Sequence, residues 1–130
     1  MSNDFNPSIT SQGAFSPDDL LAGDNVGPVT EGRGTLASGQ NLARGALLGR
    51  ITTDGKYTLS VAAASDGSQI PVAILANDAN ASLADVTNVL LYTAGEFNER
   101  RLIFGTGQTA AGTRNALRLI GIHLKDAVPA

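Results

Sequence analysis

The chain has 130 residues, a net charge of −3, 42% hydrophobic residues, no cysteine, no tryptophan and a single histidine. That excludes disulfides, thiolate chemistry, Ser-His-Asp triads combined with a second histidine role, and multi-histidine metal centres within one chain. It also leaves an aromatic-poor core of Ala, Val, Leu and Ile, so the body is expected to be one modest domain that gains from association with a neighbour.

The charge is unevenly spread. Residues 1–30 hold Asp4, Asp18, Asp19 and Asp24 and no base, whereas residues 31–130 hold eight acids and nine bases. No basic stripe is available to neutralise phosphates, so no nucleic-acid partner is expected. No apolar run approaches the ~20 residues of a membrane span, and no basic-then-apolar signal pattern opens the chain; no membrane partner is expected.

Residues 1–25 read as an extended arm. They are polar, with Phe5, Ile9 and Phe15 as isolated apolar residues before Leu20 and Leu21. Ser16 suits a helix N-cap, Pro17 the first helical position, and Asp18 and Asp19 the first turn; Gly23 would close it. One or two turns do not hold without packing. The segment is therefore either a disordered tail or an arm that orders on a partner.

From residue 26 to 130 the pattern is mainly β. Gly-dense Val26 to Leu48 predicts two short strands, with turns at Ala37–Gln40 and near Arg44-Gly45, and a bulge or bend about Gly32 and Gly34. Thr53-Asp54-Gly55-Lys56 between β-prone flanks predicts a hairpin spanning Ile51 to Val61. Ser65-Asp66-Gly67 is a turn, Pro71 a strand start or edge, and Asn77 to Ser82 a polar loop. Val86–Tyr92 is expected as a strand, Ala94-Gly95-Glu96 as a turn, and Phe97–Phe104 as a returning strand. Thr113 is expected to cap a short C-terminal helix reaching about Ile120, with Leu117 and Ile120 on one face. Gly121 ends it, and Ile122-His123-Leu124 closes the fold as an alternating strand. Leu48, Ile51, Leu59, Val61, Val72, Ile74, Leu90, Phe97, Ile103 and Leu117 are the expected core.

Motifs with chemical meaning are weak. Gly107 and Gly112 have phosphate-loop spacing between a strand and a helix, but Thr113-Arg114 stands where Lys-Ser/Thr is required. Asp54-Gly55 and Asp66-Gly67 lack the further acids of a calcium loop. Asp85, Glu96 and Glu99 would serve acid–base work only if the fold paired them. His123 alternates with apolar neighbours and is expected at solvent or an interface. Arg100 and Arg101, taken as strand residues, point to opposite faces, one of them toward a neighbour or an acid. No catalytic residue, metal ligand or cofactor site is assigned, and the chain is not expected to be an enzyme.

Three segments, in order, resemble the lambda-type phage head decoration proteins, which stabilise or cement capsids. They are Gly39-Gln40-Asn41-Leu42-Ala43-Arg44-Gly45-Ala46-Leu47-Leu48-Gly49 with the Asp54-Gly55-Lys56-Tyr57 turn, Ile70-Pro71-Val72-Ala73-Ile74-Leu75-Ala76-Asn77-Asp78, and Val89-Leu90-Leu91-Tyr92-Thr93-Ala94-Gly95-Glu96-Phe97-Asn98. The helix and closing strand from Thr113 to Leu124 complete the order. The resemblance covers about Val26 to Leu124; the arm matches only in being polar and extended. It implies a small β-clip-like domain with a short C-terminal helix, carried at residues 26–130, and an N-terminal capsid-binding arm at residues 1–25. The arm's own apolar residues, Phe5, Ile9, Phe15, Leu20 and Leu21, are the expected contacts. The resemblance implies homotrimers on the outer surface of the expanded head, made in the bacterial host cytoplasm and bound to the major capsid protein, stabilising the shell against internal DNA pressure. Arg100, Arg101 and His123 are possible interface residues, and no cofactor is implied. A small β adaptor or carbohydrate-binding module is the alternative; Phe5, Phe15, Tyr57, Tyr92, Phe97 and Phe104 form no evident stacking platform for it.

Overall fold

The computed structural model describes residues 20, 21 and 29–126. Its strands are β1 (Thr30–Leu36), β2 (Gln40–Leu42), β3 (Leu47–Arg50), β4 (Tyr57–Leu59), β5 (Pro71–Leu75), β6 (Ala79–Ala81), β7 (Val86–Asn98) and β8 (Ile122–Lys125). One helix, α1 (Ala110–Leu119), and a single 3-10 turn (Glu99–Arg101) complete the described elements. The fold is mainly β with one short C-terminal helix, the class the alternating short apolar segments imply.

Five strands form a ring. Pairing runs β1, β4, β3, β5, β7 and returns to β1. All neighbours are antiparallel except β1 and β4, which meet in parallel at one residue pair, Leu36 with Tyr57. Closure removes the unpaired edges that an open sheet would present. The β3–β4 connection is the hairpin the Asp-Gly signal predicts. Asp54 Oδ1 accepts from the Lys56 N–H at 3.0 Å, and the Ile51 N–H donates to the Lys56 carbonyl at 2.8 Å. Pro71 opens β5, the strand-start position expected of a residue without an N–H. The pairing of β1 with β7 slips between Gly34 and Leu36, next to one of the two glycines read as marking a bend.

Several expectations are corrected. Ala79–Ala81, read as part of a polar loop, is β6, and it pairs antiparallel with β2 as a separate ribbon. Ala94-Gly95-Glu96 does not reverse the chain. Gly95 has φ +141°, open to glycine, and β7 runs straight through it. The change there is of partner: β1 flanks β7 up to Ala94, and β8 lies parallel to it from Gly95 to Asn98. A Cβ on Gly95 would lie 2.8 Å from the Val29 side chain. The returning strand Phe97–Phe104 is consequently absent, and Arg100 and Arg101 sit on the 3-10 turn, so the strand-face argument does not apply to them. At the helix, the cap is Thr109, whose hydroxyl accepts from the Gly112 N–H at 2.9 Å. Thr113 is buried inside the first turn and donates its hydroxyl to the Thr109 carbonyl at 2.8 Å.

The interior has two apolar clusters. One lies around Leu36, Ala46, Leu48, Leu75, Ala81 and Leu91 within the strand ring. The other gathers Leu20, Leu47, Ile74, Phe97, Leu117 and Ile122 beneath α1 and β8. Of the expected core, Leu48, Ile74, Phe97 and Leu117 are fully buried, whereas Ile51, Leu59, Val61, Val72 and Leu90 are half-buried. Ile103 is 40% exposed. Its backbone is engaged instead, its N–H donating to the Gly45 carbonyl (2.9 Å) and its carbonyl accepting from the Leu47 N–H (3.0 Å). Ile120 is likewise 45% exposed, because it caps the helix rather than continuing the Leu117 face.

Candidate functional site

Of the residues singled out by sequence, Leu20, Leu21, Arg100, Arg101 and His123 lie at one end of the described body, where β7, the 3-10 turn, α1 and β8 meet. Asn98, 1% exposed, ends β7 and accepts the Arg100 N–H on its side-chain oxygen at 3.1 Å. That cap satisfies a donor the short turn leaves open, and it turns Glu99, Arg100 and Arg101 away from the sheet. An asparagine before Glu-Arg-Arg was the available signal for this turn.

Leu20 and Leu21 arrive at the same place. Leu20 is 2% exposed within the second cluster, and its carbonyl accepts from the Asn98 N–H at 2.7 Å. Leu21 forms an antiparallel bridge with Phe97. Both leucines, assigned by sequence to the arm, are thus packed on the body. Phe5, Ile9 and Phe15, and the short helix read at residues 16–22 apart from Leu20 and Leu21, lie outside the described residues.

The charged side chains here are paired. Arg100 meets Asp126, and Arg114 of α1 meets Glu99. Lys125 and Glu96 are 3.0 Å apart on the paired strands β8 and β7. The Arg100 hydrogen bond and charge hold the Asp126 carboxyl below its ordinary value. His123 is exposed, on the same side of the sheet as its register partner Glu96, and β8 alternates buried and exposed as its sequence predicts. Arg101 is exposed on the turn. At the opposite end, Asp85 accepts from Lys56 at 2.7 Å and from the Ser38 N–H at 2.8 Å. These bonds lower the Asp85 pKa and raise that of Lys56. The three carboxylates considered for acid–base work therefore each face a different base: Asp85 Lys56, Glu96 Lys125, and Glu99 Arg114.

The Gly107–Gly112 loop is occupied by its own side chains. The Gln108 amide donates to the Ser60 hydroxyl (3.0 Å) and the Gln69 carbonyl (2.8 Å), tying the loop to the sheet. Asp66 accepts from both the N–H and the hydroxyl of Ser68, which is turn chemistry, and that lowers its pKa. Among the described residues there is no group of three or more His, Cys, Asp or Glu that could hold a metal, and no helix is long and apolar enough to cross a membrane. Tyr92 and Phe97 face inward, with ring centroids 5.5 Å apart, and Arg44 lies over the Tyr92 ring while donating to its hydroxyl at 3.0 Å. Tyr57 is half-buried against Gly34, and Phe104 against the second cluster. Among the described residues no aromatic platform is presented to a sugar.

A small β body whose described acids and loop side chains largely pair within the body itself, preceded in sequence by an acidic segment, has the form of a structural binding domain. Residues 10–122 match the family described as bacteriophage lambda head decoration protein D, and the chain belongs to that family of structural head proteins. It is accordingly a component of the phage head that decorates the capsid. A comparison with curated proteins gives no match.

Proposed function

We propose that this protein sits as homotrimers on the outer surface of the expanded head, made in the host cytoplasm, bound to the major capsid protein and stabilising the shell against the pressure of packaged DNA. The observation that carries this reading is the family match across nearly the whole body and part of the arm. The arm supplies the attachment. Its acids, Asp4, Asp18 and Asp19, suit a neutral or basic receiving surface, and Phe5, Ile9 and Phe15 are spaced apolar anchors. Phe5 to Phe15 reaches up to ~35 Å when extended, enough to cross onto an adjacent capsid subunit. An extended segment adds main-chain hydrogen bonds to a sheet edge, and three arms per trimer sum weak contacts into firm binding. A specific trimer interface buries roughly 1,200–2,000 Å² per subunit pair. Arg100, Arg101 and His123, exposed near the arm's root, are candidates for contact with a neighbouring subunit or the shell.

The test is to mix the protein with empty expanded heads of its phage and image them. Density at three-fold positions is expected; isolated monomers or two-fold dimers would overturn the trimer. Because Leu20 belongs to the body's core, the arm deletion stops at residue 19. That truncation is expected to fold and to lose head binding. Retention of full-length affinity would mean that the body alone attaches.

A further inference from the structure

We infer that Leu20 is the residue that aims the arm: a clamp fixing residues 1–19 to the end of β7, so that they leave the body beside the 3-10 turn and not from the start of β1. This rests on the reading of residues 1–19 as the attachment segment, and adds where and how that segment is held.

The geometry has three parts. The Leu20 side chain is 2% exposed and shares a cluster with Phe97, Leu117 and Ile122. Its carbonyl accepts from the Asn98 N–H at 2.7 Å, and the next residue bridges Phe97 as a one-pair strand. The third part is a neighbouring wall. Gly45, with φ +99°, lies against Leu20, and a Cβ there would meet the Arg101 carbonyl at 2.7 Å while only touching a Leu20 methyl at 3.7 Å. The Gly45 backbone is itself fixed, its N–H donating to the Leu75 carbonyl and its carbonyl accepting from the Ile103 N–H. Leu20 thus packs between the end of β7 and a Gly45 backbone that is itself hydrogen-bonded on both its N–H and its carbonyl.

The consequence is mechanical. With the clamp closed, load on the arm enters β7 at Phe97 and Asn98 rather than β1 at Thr30. With the clamp open, the arm would hang from β1, and residues 20–29 would join it as about ten residues of slack. A flexible chain of that length spreads over ~16–19 Å, which dilutes the arm around its receiving site. Effective concentration falls steeply with such slack, and three arms compound the loss.

The experiment uses the full-length protein and empty expanded heads, with affinity read by co-sedimentation. Leu20→Ala is expected to lower head affinity at least tenfold while circular dichroism still shows a folded body. Leu20→Met, which refills the pocket, is expected to restore it. Inserting Gly-Ser after Asp24, between clamp and β1, is expected to leave affinity unchanged, because the load enters β7 ahead of the insertion. A merely core-filling Leu20 would lower the melting temperature of Leu20→Ala but leave its head affinity at the wild-type value; that result overturns the clamp. So does a marked loss of affinity in the Gly-Ser insertion. Should Leu20→Ala fail to fold, hydrogen exchange on the wild-type protein decides: the Asn98 amide is expected to exchange as slowly as the β5 and β7 core amides, and exchange at the rate of an exposed loop overturns the inference. The truncation lacking residues 1–19 separates the two claims. If it binds heads like the full chain, the attachment reading fails and takes the clamp with it. If it does not bind while Leu20→Ala binds normally, only the clamp fails.

Discussion

The two apolar clusters are assembled in opposite ways. The cluster within the ring, around Leu36, Leu48, Leu75 and Leu91, is built from strands between residues 30 and 91, several of them joined by turns visible in the sequence. The cluster beneath α1 and β8 draws Leu20 from one end of the chain and Leu117 and Ile122 from the other, onto Phe97 and Ile74 in between. The first closes by strand pairing and the second by packing of distant segments. On the proposed reading of residues 1–19 as the attachment segment, the second is where that segment is held, so the least local part of the fold is the part that reading depends on.

The largest blow to this contrast is Phe97→Ala. Phe97 is fully buried, stacks near Tyr92 and bridges Leu21, and its truncation is expected to cost ~3–5 kcal/mol. Chemical denaturation should show this loss together with fast exchange at the Asn98 amide. A change under 1 kcal/mol would mean that the second cluster is not a true core. Within the ring, Leu48→Ala is expected to cost ~2–5 kcal/mol, and to leave the Asn98 amide protected. Ile74, where β3, β5 and β7 meet, should fall in the same range; an unchanged melting temperature for Ile74→Ala would show that its face is misassigned.

Smaller effects sharpen the picture. A Cβ at Gly49 would lie 1.9 Å from the Ser68 carbonyl oxygen, so Gly49→Ala must displace backbone. The expected cost is ~1–3 kcal/mol, read as a lower melting temperature. Acid should weaken the surface pairs. The carboxyls of Asp85 and Asp126 lie below their ordinary value of 3.8 when folded. Their contribution is therefore present above about pH 4 and lost as pH falls through their folded values. Asp85→Asn should flatten that acid limb, and added salt should shrink it because the pairs are partly exposed. The smallest change is expected at Leu83, 97% exposed between β6 and β7. In the free protein, Leu83→Ser should stay within ~0.5 kcal/mol of the parent.

Local chemistry was legible where it is self-sufficient. Asp54-Gly55 gave the hairpin, Pro71 a strand start, the Ile122–Leu124 alternation an edge strand, and the Gly121 stop the end of a helix. The helix cap was missed by four residues because Thr109 and Thr113 are both good caps, and burial of Thr113 selects the first.

What the sequence by itself determined is the class: a mainly β, aromatic-poor body, an acidic N-terminal segment, and the ordered segments that identify the family. Only the tertiary structure decided that β7 passes through Gly95 to pair with β8 and that Ala79–Ala81 pairs with β2. It alone put Leu20 in the core. The physical reason is common to all three. A turn or a cap is fixed by a few adjacent residues, whereas strand partnership and burial depend on what distant chain arrives alongside. Two leucines after a polar stretch look the same whether they reach outward to a partner or inward to Phe97.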